Sequence, residues 1–220
     1  GRVDCFTGKI EMGQGVITSL AQVLAEELDV SIDEVDMVMG DTQLCPYDAG
    51  TWGSMTTRFF DPVLRAAAAE ARMVLVELAA EQLGVDKDKL AVTDGTIYNR
   101  ARKKEKVTYA ELTEGKKIVR KLSGEPELKK PSEYKIIGKP IKSRDAKIKV
   151  TGEAQFSADI RLPGMVYARI VRPPAHDSKL VSIDTSRVEG MEGVEVIHEG
   201  DFIVVLHPYW ETAGQAAARI

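Results

Sequence analysis

Met12-Gly13-Gln14-Gly15-Val16-Ile17-Thr18-Ser19-Leu20-Ala21-Gln22-Val23-Leu24-Ala25-Glu26-Glu27-Leu28 sets two glycines around one glutamine and then places Val16, Leu20, Leu24 and Leu28 at helical spacing. Ile17, Ala21 and Val23 widen that stripe until it can cover one face of a helix. The spacing predicts a helix that starts at a glycine turn. Upstream, residues 3–6 read as a strand, and downstream, residues 35–39 read as a short buried strand.

A long loop follows at 40–57, rich in Gly, Asp, Thr and Ser and ending in Gly50-Thr51-Trp52-Gly53-Ser54-Met55-Thr56-Thr57. Loops of that length inside a compact domain are usually functional. Pro62 is placed to open the next helix, apolar nearly all round from Val63 to Leu83 and stopped by Gly84, so it is expected to be buried. Residues 90–92 and 96–98, joined by Asp94-Gly95, fit a hairpin, and 108–114 fit a short surface helix. From 116 to 131 the chain is basic and irregular, with Gly124 and Pro126, which predicts a linker and a domain boundary near 131. Short β-rich runs follow at 147–150, 154–156, 165–171, 180–184, 194–198 and 202–206, and an alanine-rich helix is expected over 210–220. The fold class is α+β, with domains at 1–130 and 131–220.

With 220 residues, 44% of them hydrophobic and 29% charged, the chain can bury a proper core, and it holds no apolar run long enough to span a membrane. A formal charge of -4 is too weak to suggest nucleic acid as a partner. The charge is uneven: residues 100–144 hold 15 of the 30 Lys and Arg against 6 Glu, and the remainder is acidic. Such a basic segment reads as a solvated surface or as a docking site for an acidic partner. Two cysteines and three scattered histidines support neither a disulfide framework nor a zinc site, and they leave the compartment, cytoplasmic or periplasmic, open. The chain starts without Met and stops inside an apparent helix, which is expected of a piece of a longer polypeptide.

Two loops stand out as candidate binding elements. Gly13, Gln14 and Gly15 would put backbone N–H groups and an amide at a helix N-terminus, where an anionic ligand is favoured. Gly53, Ser54 and Thr56, with Thr57, would offer amides and hydroxyls to a phosphate or a pterin ring. The first pattern also suits an ordinary glycine turn leading into a helix, and the second a helix-entry loop with Ser and Thr caps. The first lacks the Gly-Lys-Ser or Gly-Lys-Thr of a nucleotide loop and is no Gly-x-Gly-x-x-Gly fingerprint.

The string Phe6-Thr7-Gly8-Lys9-Ile10-Glu11-Met12-Gly13-Gln14-Gly15, with the helix after it and the 51–57 loop, resembles the molybdenum-cofactor-binding segment of large subunits in the xanthine dehydrogenase and aldehyde oxidase superfamily. A second resemblance lies in Ile137-Gly138-Lys139-Pro140, Arg144-Asp145, Lys149-Val150-Thr151-Gly152, Ala158-Asp159-Ile160, Leu162-Pro163-Gly164-Met165 and Gly193-Val194, which are similar to that superfamily's α/β-hammerhead domain. The order, cofactor segment first and hammerhead second, is that of the isoquinoline 1-oxidoreductase β-subunit type.

The resemblance implies hydroxylation of an aldehyde or N-heterocycle carbon with water as oxygen source, on a molybdenum-pyranopterin cofactor in its cytosine dinucleotide form. It implies contacts to that cofactor from Gly13, Gln14, Gly15, Gly53, Ser54 and Thr56, and a partner subunit carrying 2Fe-2S clusters, since no cluster-binding cysteines occur here. Trp52 departs from the small residue of the family pattern. The family's catalytic glutamate sits in a Gly-Glu-Pro motif, which Gly124-Glu125-Pro126 mimics. Glu125 is set aside as the base because the surrounding lysines and the lack of any apolar run would keep it an ordinary hydrated carboxylate. No catalytic or metal-ligating residue is therefore assigned, and the chain by itself is expected to be inactive and to lack the cofactor. Two alternatives remain: a non-catalytic assembly or partner-binding module on the same scaffold, and a simple phosphate-binding domain.

Overall fold

The computed structural model describes residues 1–120 and 126–220, and divides them into two compact units, 1–154 and 155–220. The architecture is α+β.

In the first unit, strand β1 (Val3–Thr7) pairs in parallel with β2 (Val35–Met39), Val3 opposite Val35 and Thr7 opposite Met39, and helix α1 (Val16–Leu28) connects them. Gly15 enters α1 at φ 83, and Asp29 ends it in the left-handed region. The predicted stripe packs as read: Val16, Leu20, Leu24 and Leu28 are all buried. Helix α2 (Asp61–Leu83) has Pro in its first turn and ends at Gly84 with φ 63, as its sequence signals require. It buries one face rather than its whole circumference. Leu64 and Ala68 meet the α1 core, Leu75 and Ala79 meet a second core under the sheet, and Val63 stays exposed.

That sheet is an antiparallel meander of β3 (Leu90–Thr93), β4 (Thr96–Asn99) and β5 (Lys106–Thr108), running into α3 (Tyr109–Thr113) through a capping box at Thr108 and Glu111. Asp94 and Gly95, both at positive φ, close the β3–β4 hairpin. The Gly95 N–H donates to Asp29 O at 2.8 Å, and the Tyr109 hydroxyl donates to Leu28 O at 2.8 Å, tying the meander to the end of α1.

The packing boundary falls between Ala154 and Gln155 rather than near 131, because two buried carboxylates of α1 hold the segment beyond the basic stretch. Glu26 Oε2 accepts the N–H groups of Lys135, Ile136 and Ile137 at 2.9, 2.6 and 3.0 Å. Glu27 Oε1 accepts from Arg65 at 2.9 and 2.6 Å, and Arg65 also donates to Lys129 O at 2.8 Å. The basic stretch is thus only partly a solvated surface. Lys129 pairs with Asp29 at 2.7 Å, Arg120 with Glu77 at 2.8 Å, and Arg144 donates to Ile32 O at 3.1 Å. Residues 121–125, with Glu125, lie outside the described residues.

The expected strand at 147–150 is instead the short helix α4 (Ala146–Val150). Its alternating Lys-Ile-Lys-Val reads as a strand, but Asp145 pairs with Lys149 one turn on and accepts from the Ser143 hydroxyl at 2.6 Å, so the turn closes locally. Residues 154–156 and 180–184 likewise form no strand.

In the second unit, β6 (Tyr167–Ile170), β7 (Glu195–Glu199) and β8 (Phe202–His207) form an antiparallel sheet in the order β6-β8-β7, closed by α5 (Trp210–Ala217). Val188, Val205 and Ala216 form a buried cluster, and Ile203, Val204 and Ala213 are buried beside them in the chain. No helix among the described residues is long and apolar enough to cross a membrane.

Candidate functional site

The two glycine-rich loops are stitched together at the C-terminal end of β1. Gly8 leaves no room for a side chain: an added Cβ would lie 2.4 Å from Asp48 Cβ and 2.6 Å from Pro46 O. Next to it the Lys9 ammonium donates to Asp48 Oδ1 at 2.9 Å and to Gly50 O at 3.0 Å, and Asp48 Oδ1 also accepts the Gly50 N–H at 2.8 Å. The hydrogen bond from Lys9 holds the Asp48 carboxyl below the usual carboxylate range. The Ile10 N–H donates to Thr51 Oγ1 at 2.9 Å. Lys9, Asp48 and Thr51 carry no motif of their own, and sequence reasoning missed them.

This stitching brings Gln14 and the second loop to one cleft of about 450 Å³, lined among others by Met12, Gln14, Gly53, Ser54, Thr56 and Thr57. Gly13 and Gly15 shape the turn beneath Gln14 rather than line the cleft, at φ 100 and 83. Gly53 and Ser54 are both at positive φ. Ser54 adopts this conformation although a side chain disfavours it, a cost typical of binding loops. Trp52 is 62% exposed, and its ring packs where a Cβ on Gly50 would be, 2.9 Å from Cδ1, so a glycine at 50 makes room for it. Among the described residues the hydroxyls of Ser54, Thr56 and Thr57 make no hydrogen bond, and neither do the N–H groups of Gly53 and Ser54. These residues line a cleft of mixed polar and apolar character and leave their donors without internal partners.

The helix N-terminus differs from its expected form. Two of its amides and one of the turn before it are taken by the Glu11 carboxylate: Oε1 accepts from the N–H groups of Gly13 at 2.7 Å and Gly15 at 3.0 Å, and Oε2 accepts from Ile17 at 2.9 Å. The Gln14 amide is also engaged, donating to Ile10 O at 2.9 Å and accepting the Met12 N–H at 2.6 Å. One amide hydrogen and one lone pair of Gln14 remain for the cleft. The signal that could have found Glu11 is an acidic residue just ahead of a helix that has no Ser, Thr, Asp or Asn cap.

Past the cleft, a π-turn at Thr56–Phe60 leads into α2. Asp61 opens that helix with its Oδ1 buried and without a hydrogen-bond partner, and burial pushes its carboxyl up to about 6 against the pull of Arg65. Among the described residues, no three His, Cys, Asp or Glu side chains converge to hold a metal ion.

Residues 1–158 match the family model described as a molybdopterin cofactor-binding domain. The chain is 37% identical to a nicotinate dehydrogenase component of Pseudomonas putida, over 100% of this chain and 19% of that protein. It is 29% identical to the β chain of isoquinoline 1-oxidoreductase from Brevundimonas diminuta, over 88% of this chain and 30% of that one. It therefore spans less than a third of either relative's length. Among solved structures, reconstituted CO dehydrogenase from Oligotropha carboxidovorans aligns with a TM-score of 0.42 at 28% identity, covering 47% of this chain and 13% of that chain. Because the family match covers both glycine turns and most of the sequence, the chain belongs to the molybdopterin cofactor-binding domain family of the molybdenum hydroxylases.

Proposed function

We propose that the cleft between Gln14 and the Gly53–Thr57 loop holds part of a molybdenum-pyranopterin cofactor in a hydroxylase large subunit. The observation that carries this reading is the set of unpartnered donors at Gly53, Ser54, Thr56 and Thr57 on residues that line one cleft with Gln14, which has amide capacity left. A pterin edge or a phosphate needs such convergent donors, so the residues fit the group. Gly13 and Gly15 serve by holding Gln14 in its turn. When bound, the cofactor supplies two-electron redox chemistry that places a water-derived oxygen on the substrate carbon. This chain binds and orients one side of it.

The finer points follow from the resemblance and the relatives. The cofactor is assigned the cytosine dinucleotide form. The substrate is an aldehyde or an N-heteroaromatic carbon, and the names of the nicotinate and isoquinoline relatives favour the heteroaromatic. Electrons leave through a partner subunit carrying 2Fe-2S clusters. Residues 131–220 carry the hammerhead pattern, with the portion up to 154 packed on the first unit. The chain alone is assigned no turnover, since the family's catalytic glutamate and the remaining cofactor contacts are expected outside it. Turnover by the chain alone that vanishes in Glu125→Gln would overturn that assignment.

The test is the molybdenum and cytidine nucleotide content of the full-length protein, wild type against the double variant Gln14→Ala/Ser54→Ala. Stoichiometric molybdenum with released cytidine nucleotide is expected in wild type, falling at least threefold in the variant. Equal occupancy in the two would remove these residues from the site, and a wild-type protein without molybdenum would remove the cofactor.

A further inference from the structure

The Glu11 carboxylate sits where the sequence pattern leads one to expect a ligand. Its two oxygens accept three N–H groups, from Gly13, Gly15 and Ile17, all within 3.0 Å; those of Gly15 and Ile17 are donors that an uncapped helix N-terminus leaves open, and that of Gly13 belongs to the turn ahead of it. Gly15, the capping position, has no side chain to do this work. A carboxylate there also answers the partial positive charge of the 13-residue helix α1. A second anion brought to the same amides would find the donors filled and a full negative charge in contact distance. The other loop lining the cleft differs: Gly53 and Ser54 keep unbonded N–H groups, and no acidic side chain lines the cleft.

We infer that Glu11 is a built-in anion that fills the phosphate position at the N-terminus of α1, locking the Gly13-Gln14-Gly15 turn and leaving the Gly53–Thr57 loop as the anion-accepting side of the cleft. Glu11 is a positioning residue: it acts on a ligand through the turn and through its charge. The consequence is a polarity in the site. The Gln14 side takes a neutral hydrogen-bonding edge, and phosphate groups are turned to the opposite loop. This rests on the proposed cofactor reading only for the identity of the ligand, because the filling of the amides is a property of the chain itself.

The test uses the full-length protein purified free of molybdenum, its metal content measured beforehand, and inorganic phosphate, so that the cleft is open when phosphate is added. Hydrogen–deuterium exchange is followed in peptides covering residues 8–20 and 50–60, with and without phosphate. In wild type, phosphate is expected to slow exchange in 50–60 and leave 8–20 unchanged. In Glu11→Ala, exchange in 8–20 is expected to rise at least tenfold, and phosphate should restore most of the lost protection, which a purely structural role of Glu11 would not allow. Glu11→Gln keeps an acceptor oxygen without the charge, so it should show a smaller rise and a partial phosphate response, and it serves in place of the alanine variant if that one does not fold. Protection of 8–20 by phosphate in wild type to the same degree as in the variants would overturn the inference. So would variants whose exchange in 8–20 matches wild type, or does not respond to phosphate.

Discussion

A methyl group on Gly8 would fall 2.4 Å from Asp48 Cβ and 2.6 Å from a backbone carbonyl, and neither neighbour is a flexible side-chain tip that could swing away. Gly8→Ala must therefore push the 46–51 loop off the end of β1 and stretch the bonds from Lys9 to Asp48 and Gly50. Overpacking of this kind costs about 1–3 kcal/mol. A lowered denaturant midpoint together with loss of the cleft is expected, and an unchanged midpoint would show that the two loops are not stitched at this point. Asp61 gives a pH-dependent prediction. Its carboxyl, raised to about 6 by burial against an ordinary value of 3.8, binds more protons folded than unfolded between those values. Its ionisation therefore costs stability as pH rises through 6, and protonation relieves the cost below it. Asp61→Asn is expected to raise the denaturant midpoint at pH 8 and to lose most of that advantage by pH 4.5, measured as paired unfolding curves. A variant equally or less stable at pH 8 would mean that the buried oxygen has a partner that matters more than its desolvation. The candidate loops were legible at this scale because Gly, Ser and Thr clusters mark them. Glu11 and Lys9 were not, because a single charged side chain does not reveal in sequence whether it points to solvent or back to its own main chain.

At the scale of elements, α1 reaches well beyond its own packing. Glu26 is 1% exposed and sits under the N–H groups of three consecutive residues, Lys135 to Ile137, so a helix carboxylate replaces a strand partner for that segment. Burial pushes the Glu26 carboxyl up, but the three backbone donors and Lys129 outweigh it and hold the group below the usual range. Its stabilisation is accordingly present above the ordinary glutamate value and lost as pH falls through the lowered one. Glu26→Ala leaves three backbone donors without their acceptor while Lys129 keeps Asp29, a loss of about 1–3 kcal/mol for each donor that stays buried. Lower protection across 129–137, as exchange relative to the intrinsic amide rate at the same pH, is expected in the variant at neutral pH and in wild type as pH falls through the lowered Glu26 value. An unaltered exchange pattern would mean that the segment is held by its other contacts. This clasp explains why the domain boundary was misplaced in sequence. Composition marks the basic stretch as a linker, and nothing local shows that acidic α1 receives it. The periodic elements were legible, α1 and β2 to the residue, since a buried stripe or a β-branched run imposes its own geometry. The run at 147–150 was not, because a side-chain pair between Asp145 and Lys149 overrode an alternation that buries nothing.

For the whole molecule, the two units differ in how much apolar surface they bury. The first builds two cores, one of eleven buried residues around α1 from Val16 to Ala68 and one of six around Ile97 and Leu112, whereas the second buries Val188, Ile203, Val204, Val205, Ala213 and Ala216, of which Val188, Val205 and Ala216 form one cluster. The second unit leaves Phe156 59%, Leu162 65% and Val181 96% exposed, so its apolar residues contribute less than their number suggests. A unit this small with so few buried side chains is marginal by itself, and local opening should be graded accordingly. The amides of β8 around Val204 and Val205, although central in their sheet, are expected to exchange at least tenfold faster than those of α1 from Leu20 to Leu24 in the same 220-residue chain. Moderate denaturant should widen the gap, since the second unit opens without taking the first with it. Hydrogen exchange across a denaturant series measures both quantities. Coincident protection of β8 and α1 at every denaturant concentration would show a single cooperative body, and greater protection in β8 would reverse the order that the two cores predict.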